Sequence, residues 1–211
     1  MPGSIINLKT ATRWDGDLTR EAGTARLFHI PLQFSVTEKG LPLKMEIRVL
    51  TPCDAGIYLP LRLRALKEEP ASFAESYEEA QHRSAASIAD RLGNGTDSFV
   101  LGLFDKELIG TVGFYRKQGM KVRHLGVIWG MYLAPEYRGR GLGKNLLMAA
   151  LQKANTIEGL EQISLTVVTT NEAARQMYAN AGFKVYGIEP RALKVNGEYY
   201  AEEHMFFDLR R

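Results

Sequence analysis

The stretch from Val127 to Ala150, V-I-W-G-M-Y-L-A-P-E-Y-R-G-R-G-L-G-K-N-L-L-M-A-A, constrains this chain more than any other. Val127 to Leu133 is a nearly continuous apolar run with β-branched and aromatic residues, which suits a strand buried on both faces. Gly130 interrupts the run, as a strand glycine does at a bulge or where another group approaches closely. Ala134 to Gly143 is a Pro- and Gly-punctuated turn carrying Arg138 and Arg140. From Leu142 the apolar spacing turns helical, through Leu146, Ala149, Ala150 and Ala154. A strand therefore feeds a glycine-rich basic turn, and the turn opens a helix. The first N–H groups of a helix lack internal partners and carry partial positive charge. Glycines let the main chain curl so that several N–H groups face one anion, and Arg138, Arg140 and Lys144 add full charges nearby. The guest such a turn suits is a phosphate or pyrophosphate.

Two familiar phosphate loops do not fit. A P-loop needs Gly where Arg138 stands and Ser or Thr where Asn145 stands. A dinucleotide fingerprint needs G-x-G-x-x-G, and Gly139-Arg140-Gly141-Leu142-Gly143 is one residue short. The turn Arg138-Gly139-Arg140-Gly141-Leu142-Gly143, with Met131-Tyr132-Leu133 and Pro135 before it and an apolar helix after it, resembles the pyrophosphate loop of the GNAT superfamily of acyl-CoA-dependent N-acetyltransferases. A second segment is similar to the family as well: Asn171, a helical run, Tyr178, then Gly182-Phe183. Asn171 is also a good helix cap, and Gly182 suits the position just past a helix end.

The resemblance implies an α/β (α+β) fold, with a mixed central sheet of about six to seven strands, largely antiparallel. Helices would lie on both faces, and two central strands would splay apart to hold the pantetheine arm. It implies acetyl-CoA as co-substrate, met by Met131, Tyr132, Leu133, Arg138, Gly139, Arg140, Gly141, Leu142, Gly143, Lys144, Asn171 and Tyr178. Tyr178 would be the catalytic residue. Its phenol, protonated at neutral pH, can donate to the departing thiolate. Spacing alone also allows Tyr178 to be an aromatic filling a helix face beside Ala174, Met177 and Ala181. A main-chain N–H near Met131 to Leu133 would hold the developing oxyanion. Many family members keep a glutamate on this central strand as general base, but H-L-G-V-I-W-G-M-Y-L contains no Asp or Glu. The base is left unassigned, with His124 a candidate by its ordinary pKa.

The rest of the chain accommodates this reading. Its 211 residues suffice for one buried domain, and 27 basic against 24 acidic residues do not argue for a nucleic-acid or membrane surface. Cys53 is the single cysteine, so no internal disulfide can form. No apolar run approaches the ~20 residues that span a bilayer. The start carries no basic-then-apolar signal. A cytoplasmic protein without metal is the expectation. Residues 1–44 lack sustained periodicity and are broken by Pro and Gly, so they read as an extension, disordered or an upstream start, with the domain proper at 45–211.

Thr51-Pro52-Cys53-Asp54 opens a first helix running from Ala55 to Lys67. Ser72-Phe73-Ala74-Glu75 reads as the capping box of a second, continuing to about Leu92. In the family these two helices cover the acceptor side. Glu75, Tyr77, Glu78 and Glu79 could there meet a cationic amine, or serve as a cap and a solvated face. Ser98–Phe104 and Glu107–Tyr115 form a hairpin leading to the central strand. Asn196-Gly197 marks a terminal hairpin, whose Arg191, Tyr199 and Tyr200 either shape the acceptor pocket or simply pack across strands. The expected activity is acetyl transfer from acetyl-CoA to a primary amine of a small molecule or peptide, by direct attack, in a monomer or homodimer. A CoA-binding sensor without turnover, favoured by the absent strand carboxylate, and an enzyme using a longer acyl donor are the alternatives.

Overall fold

The computed structural model describes residues 32–38, 41–93 and 97–210, with backbone alone up to residue 44. Residues 1–31, which make up most of the expected extension, lie outside the described residues. An eight-stranded sheet runs through the molecule in the order β1-β2-β3-β4-β5-β6-β8-β7. Its strands are β1 Leu32–Glu38, β2 Leu41–Val49, β3 Ser98–Asp105, β4 Glu107–Arg116, β5 Leu125–Leu133, β6 Gln162–Val168, β7 Lys184–Val195 and β8 Glu198–Asp208. All neighbours are antiparallel except β5 and β6. The strand expected to begin at Met45 begins at Leu41, and β1 pairs along its outer edge.

Helices cover both faces. On one, α4 (Leu142–Asn155) and α5 (Glu172–Asn180) bury Leu142, Leu146, Leu147, Ala150 and Tyr178 against Leu103, Val112, Ile128, Ile163 and Met205. On the other, α1 (Ala55–Glu68) and α3 (Ala85–Gly93) bury Tyr58, Leu61, Ala65 and Ile88 against Leu50, Val100, Leu108 and Tyr132. The apolar spacing of α4 explains its place, because Leu142, Leu146 and Ala150 recur on one side and are wholly buried.

The second helix departs from the sequence reading. Pro70–Ser72 is a single 3₁₀ turn, Phe73 is extended, and the next helix is the short α2, Tyr77–Ala80. The capping box is Ser76 with Glu79, not Ser72 with Glu75: Ser76 Oγ accepts from the Glu79 N–H at 3.1 Å, and Glu79 accepts from the Ser76 N–H at 2.9 Å. Both spacings read S-x-x-E. The second wins because Glu75 is drawn into ion pairs with Arg62 and Arg83, at 3.0 and 2.5 Å, and cannot turn back to a cap. A fresh start follows at Ser84, whose Oγ accepts from the Ser87 N–H at 3.1 Å.

Candidate active site

The two parallel strands pair only at their beginnings, where Leu125, Gly126 and Val127 stand opposite Gln162, Ile163 and Ser164. Beyond that point they separate. The gap is bordered by Ile128, Trp129, Gly130 and Met131 on one side and Leu165 to Val168 on the other. Asn171, Ala174 and Tyr178 of α5 close one face, and Ser72 and Phe73 close the opposite one. Main-chain groups along the separated edges keep hydrogen-bonding capacity for a guest lying between the strands.

A bulge sets the shape of the gap. Thr111 pairs with Tyr132 and Gly113 with Trp129, so Gly130 and Met131 together face Val112. Gly130 takes φ +59°, a left-handed conformation that glycine adopts without steric cost. Across from it, Gly113 makes room for an indole: a Cβ there would lie 2.2 Å from Trp129 Cε2. Trp129 thus lies flat on β4 and forms one wall of the gap.

The turn after β5 leads to α4 with Gly139 and Gly141 at φ +76° and +75°. Nothing stands within 4 Å of where their Cβ atoms would be, so the niche beside them is open. Gly141 is the N-cap of α4 and no side chain caps the helix. The first-turn N–H groups of Leu142, Gly143 and Lys144 therefore face outward without an intrahelical acceptor. Arg138 is less free than its exposure suggests: Nη1 pairs with Glu69 at 2.7 Å, and Nε donates to the Leu133 carbonyl at 2.9 Å. Arg140 donates to the Glu136 carbonyl at 3.1 Å. Arg64 holds Glu136 through two contacts of 2.8 Å, and with them its carboxyl falls to about 2. Ion pairs thus tether the end of α1 to the turn. The Tyr132 side chain points the same way, its hydroxyl donating to Glu68 at 2.5 Å, so only its main chain remains for a coenzyme.

Tyr178 occupies the last turn of α5 and is 7% exposed. Its hydroxyl donates to Met131 Sδ across the gap at 3.5 Å. Burial pushes the phenol above its ordinary pKa, which keeps the proton on it at neutral pH. Asn171 caps α5, its Oδ1 accepting from the Ala174 N–H at 3.1 Å. The gap thus brings together Met131, Asn171 and Tyr178, with the open turn continuing from the end of β5.

Other sequence candidates fall elsewhere. His124 is exposed at the beginning of β5, the end away from the turn, where its carbonyl accepts from Glu161 and Gln162. It does not border the gap. Glu75 has both oxygens engaged by arginines and is not free to meet a cation. Glu78 and Glu79 are exposed on α2. Arg191 and Lys194 stack on Tyr199 in the terminal hairpin, at 5.4 and 5.1 Å.

One carboxylate escaped the sequence reading. Glu202 stands opposite Val168 in the β6–β8 register and interacts with the Thr166 side chain, and Val168 and Thr166 both border the gap. Burial raises its carboxyl above the ordinary range, and Glu189 adds to the rise while His204 opposes it. Its neighbour Glu203 turns to the other face and pairs with Arg175 at 2.5 Å. Adjacent acids on a strand must face opposite sides, and that was the available signal.

Separated strands, an open glycine turn and a tyrosine aimed at sulfur define a class of protein. The family model for the acetyltransferase (GNAT) family matches residues 63–183, and the chain belongs to that family, as an acyltransferase. A spermidine N(1)-acetyltransferase of Vibrio cholerae serotype O1 is 30% identical over 139 residues, covering 66% of this chain and 75% of that protein. A GNAT-family acetyltransferase from Streptococcus pneumoniae has the same fold, with a TM-score of 0.71 at 23% identity over 78% of this chain and 99% of that one. A Salmonella typhimurium protein determined with its cofactor acetyl-CoA matches at a TM-score of 0.66 and 20% identity, over 79% of this chain and 95% of that one.

Proposed function

We propose that this protein transfers the acetyl group of acetyl-CoA to a primary amine by direct attack. The observation that carries the reading is the gap between β5 and β6, open at the Gly130 bulge and bordered by a protonated Tyr178 whose hydroxyl already points at a sulfur. The thioester supplies an activated acetyl group. The outward N–H groups of Leu142, Gly143 and Lys144, with Gly139 and Gly141, receive the diphosphate, and Arg138, Arg140 and Lys144 add charge. Main-chain N–H groups of Met131 to Leu133 stabilise the oxyanion, and Asn171 meets the pantetheine region. Tyr178 gives its hydrogen bond, then its proton, to the departing sulfur. Met131 Sδ is a weak acceptor on a flexible side chain, so exchanging one sulfur for another costs little.

The attacking amine must lose a proton, and Glu202 is the group we assign to take it, through Thr166 or a water. A raised carboxyl pKa brings a base closer to working pH. The sensor alternative rested on a missing carboxylate, and Glu202 removes that argument. The test is thiol release from acetyl-CoA across a panel of primary amines. Amine-dependent, saturable release supports the proposal. Saturable CoA binding without release for any amine contradicts it.

A further inference from the structure

At the closed side of the gap lies a cationic corner whose charge is not balanced. Arg62 projects from α1 and its side chain is 10% exposed. Nε and Nη2 both donate to Glu75 Oε2, at 3.2 and 3.0 Å. The other oxygen of Glu75 is held by Arg83 Nη2 at 2.5 Å. One carboxylate therefore serves two guanidinium groups, and Arg62 Nη1 is buried without a hydrogen-bond partner among the described residues. A buried charged donor left in that state is destabilising and calls for an acceptor.

Nη1 is aimed at the gap. It lies 3.9 Å from where a Cβ on Gly130 would stand, and Gly130 borders the gap at the bulge. The guanidinium stacks on Phe73 at 4.4 Å, and Phe73 borders the same gap. Because residue 130 has no side chain, a small oxyanion resting at the bulge can reach Nη1. Arg91, 5.8 Å from the Trp129 ring, adds further positive charge to this wall. Beyond β6, whose Thr166 and Val168 border the gap, lie Glu202 and Glu189 on β8 and β7 with His204 beside them.

We propose that the acceptor is an amine carrying a carboxylate close to its nitrogen, an amino acid or a short acidic amine, whose carboxylate is received by Arg62 Nη1. The amine then faces Glu202, and the two charges of the acceptor match the two walls. Polyamines fit poorly, since their second cation would meet Arg62, Arg83 and Arg91. This inference rests on the acetyl-transfer reading only for the identity of the amine's reaction; anion binding at Arg62 stands apart from it.

The experiment compares matched pairs, each amino acid against the amine left by removing its carboxyl group, with spermidine alongside. Two readouts are taken on the full chain: equilibrium binding by calorimetric titration, and kcat/KM for thiol release. The expected result is at least a tenfold preference for the carboxylate member of one or more pairs in both readouts. Arg62→Gln abolishes that preference in both readouts, with acetyl-CoA affinity measured alongside as the check on folding. Should Arg62→Gln fold poorly, the wild-type pairs alone decide. Carboxylate-selective binding without thiol release from any amine upholds the anion site and refutes acetyl transfer. Equal binding and turnover within every pair, or a preference for spermidine, overturns the inference.

Discussion

Tyr178 borders the gap from α5, Glu202 on β8 lies beside the gap residue Thr166, and the reaction we propose needs a proton on the first and none on the second. Burial holds the phenol proton in place and raises the carboxyl. Tyr178→Phe should lower kcat by about a hundredfold. The affinity for acetyl-CoA should stay within about twofold, because the hydroxyl meets only the sulfur; steady-state kinetics and equilibrium titration check the split. An unchanged kcat would remove the acid role. For Glu202, burial disfavours the charged form, so the base is lost as pH falls through a value above the ordinary carboxylate range. The acid limb of kcat/KM should sit there and should vanish in Glu202→Gln, with a much lower plateau. A limb that persists in the variant belongs to another group. Tyr178 was singled out through the family resemblance that Asn171 and Gly182-Phe183 carry, since spacing alone also allowed a packed aromatic. Glu202 was not, since only the antiparallel register of β8 beside β6 brings it to Thr166.

At the scale of elements, the Trp129 wall beside the bulge in β5 and the junction between β2 and α1 each make a testable contact. Gly113→Ala places a methyl against the Trp129 ring, 2.2 to 2.6 Å from its atoms. It should destabilise the protein by about 1–3 kcal/mol and disturb the wall of the gap, as chemical denaturation and Trp fluorescence can show. At the junction, Asp54 accepts from Arg48 at 2.6 and 2.8 Å and from the Thr51 N–H at 2.7 Å. The Arg48 hydrogen bonds chiefly hold its carboxyl at about 2, below the ordinary 3.8. A depressed carboxyl contributes stability fully above its unfolded value and loses it as pH falls towards the folded one. The contribution, on the order of 2 kcal/mol, should fade between about pH 4 and pH 2. Asp54→Asn should flatten that part of the stability profile; an unchanged slope would contradict the assignment. The strand–turn–helix unit was readable because its signals are local. The second helix was misread because two S-x-x-E spacings follow one another, and the winner depends on Arg62 and Arg83, which no local pattern reveals.

For the whole molecule, the sheet is one surface that opens along a single seam. β4–β5 and β6–β8 pair antiparallel on either side of the β5–β6 seam, whose own pairing stops at Val127 and Ser164, which leaves room there for an extended guest. Turn signals and apolar runs marked individual strands and hairpins, whereas the sheet with two separated central strands was what the family resemblance implied. They did not anticipate β1, whose segment lacks a clear period and is defined by pairing along β2. Both ends of the seam then have assigned tasks. In the proposed reaction the glycine turn would grip the diphosphate, and the bulge with Tyr178, Glu202 and Arg62 would meet the thioester and the amine. Among the described residues, no helix is long and apolar enough to cross a membrane.

The most direct measurement is an amide chemical-shift titration of the labelled protein with CoA and, separately, with pantetheine. With CoA, the N–H resonances of residues 139–144 should shift strongly, together with those bordering the seam. With pantetheine, which lacks the diphosphate, the seam resonances should move and those of 139–144 should stay in place. If CoA leaves the turn unmoved, or if both ligands shift it alike, the diphosphate is not held by those amides and the account fails.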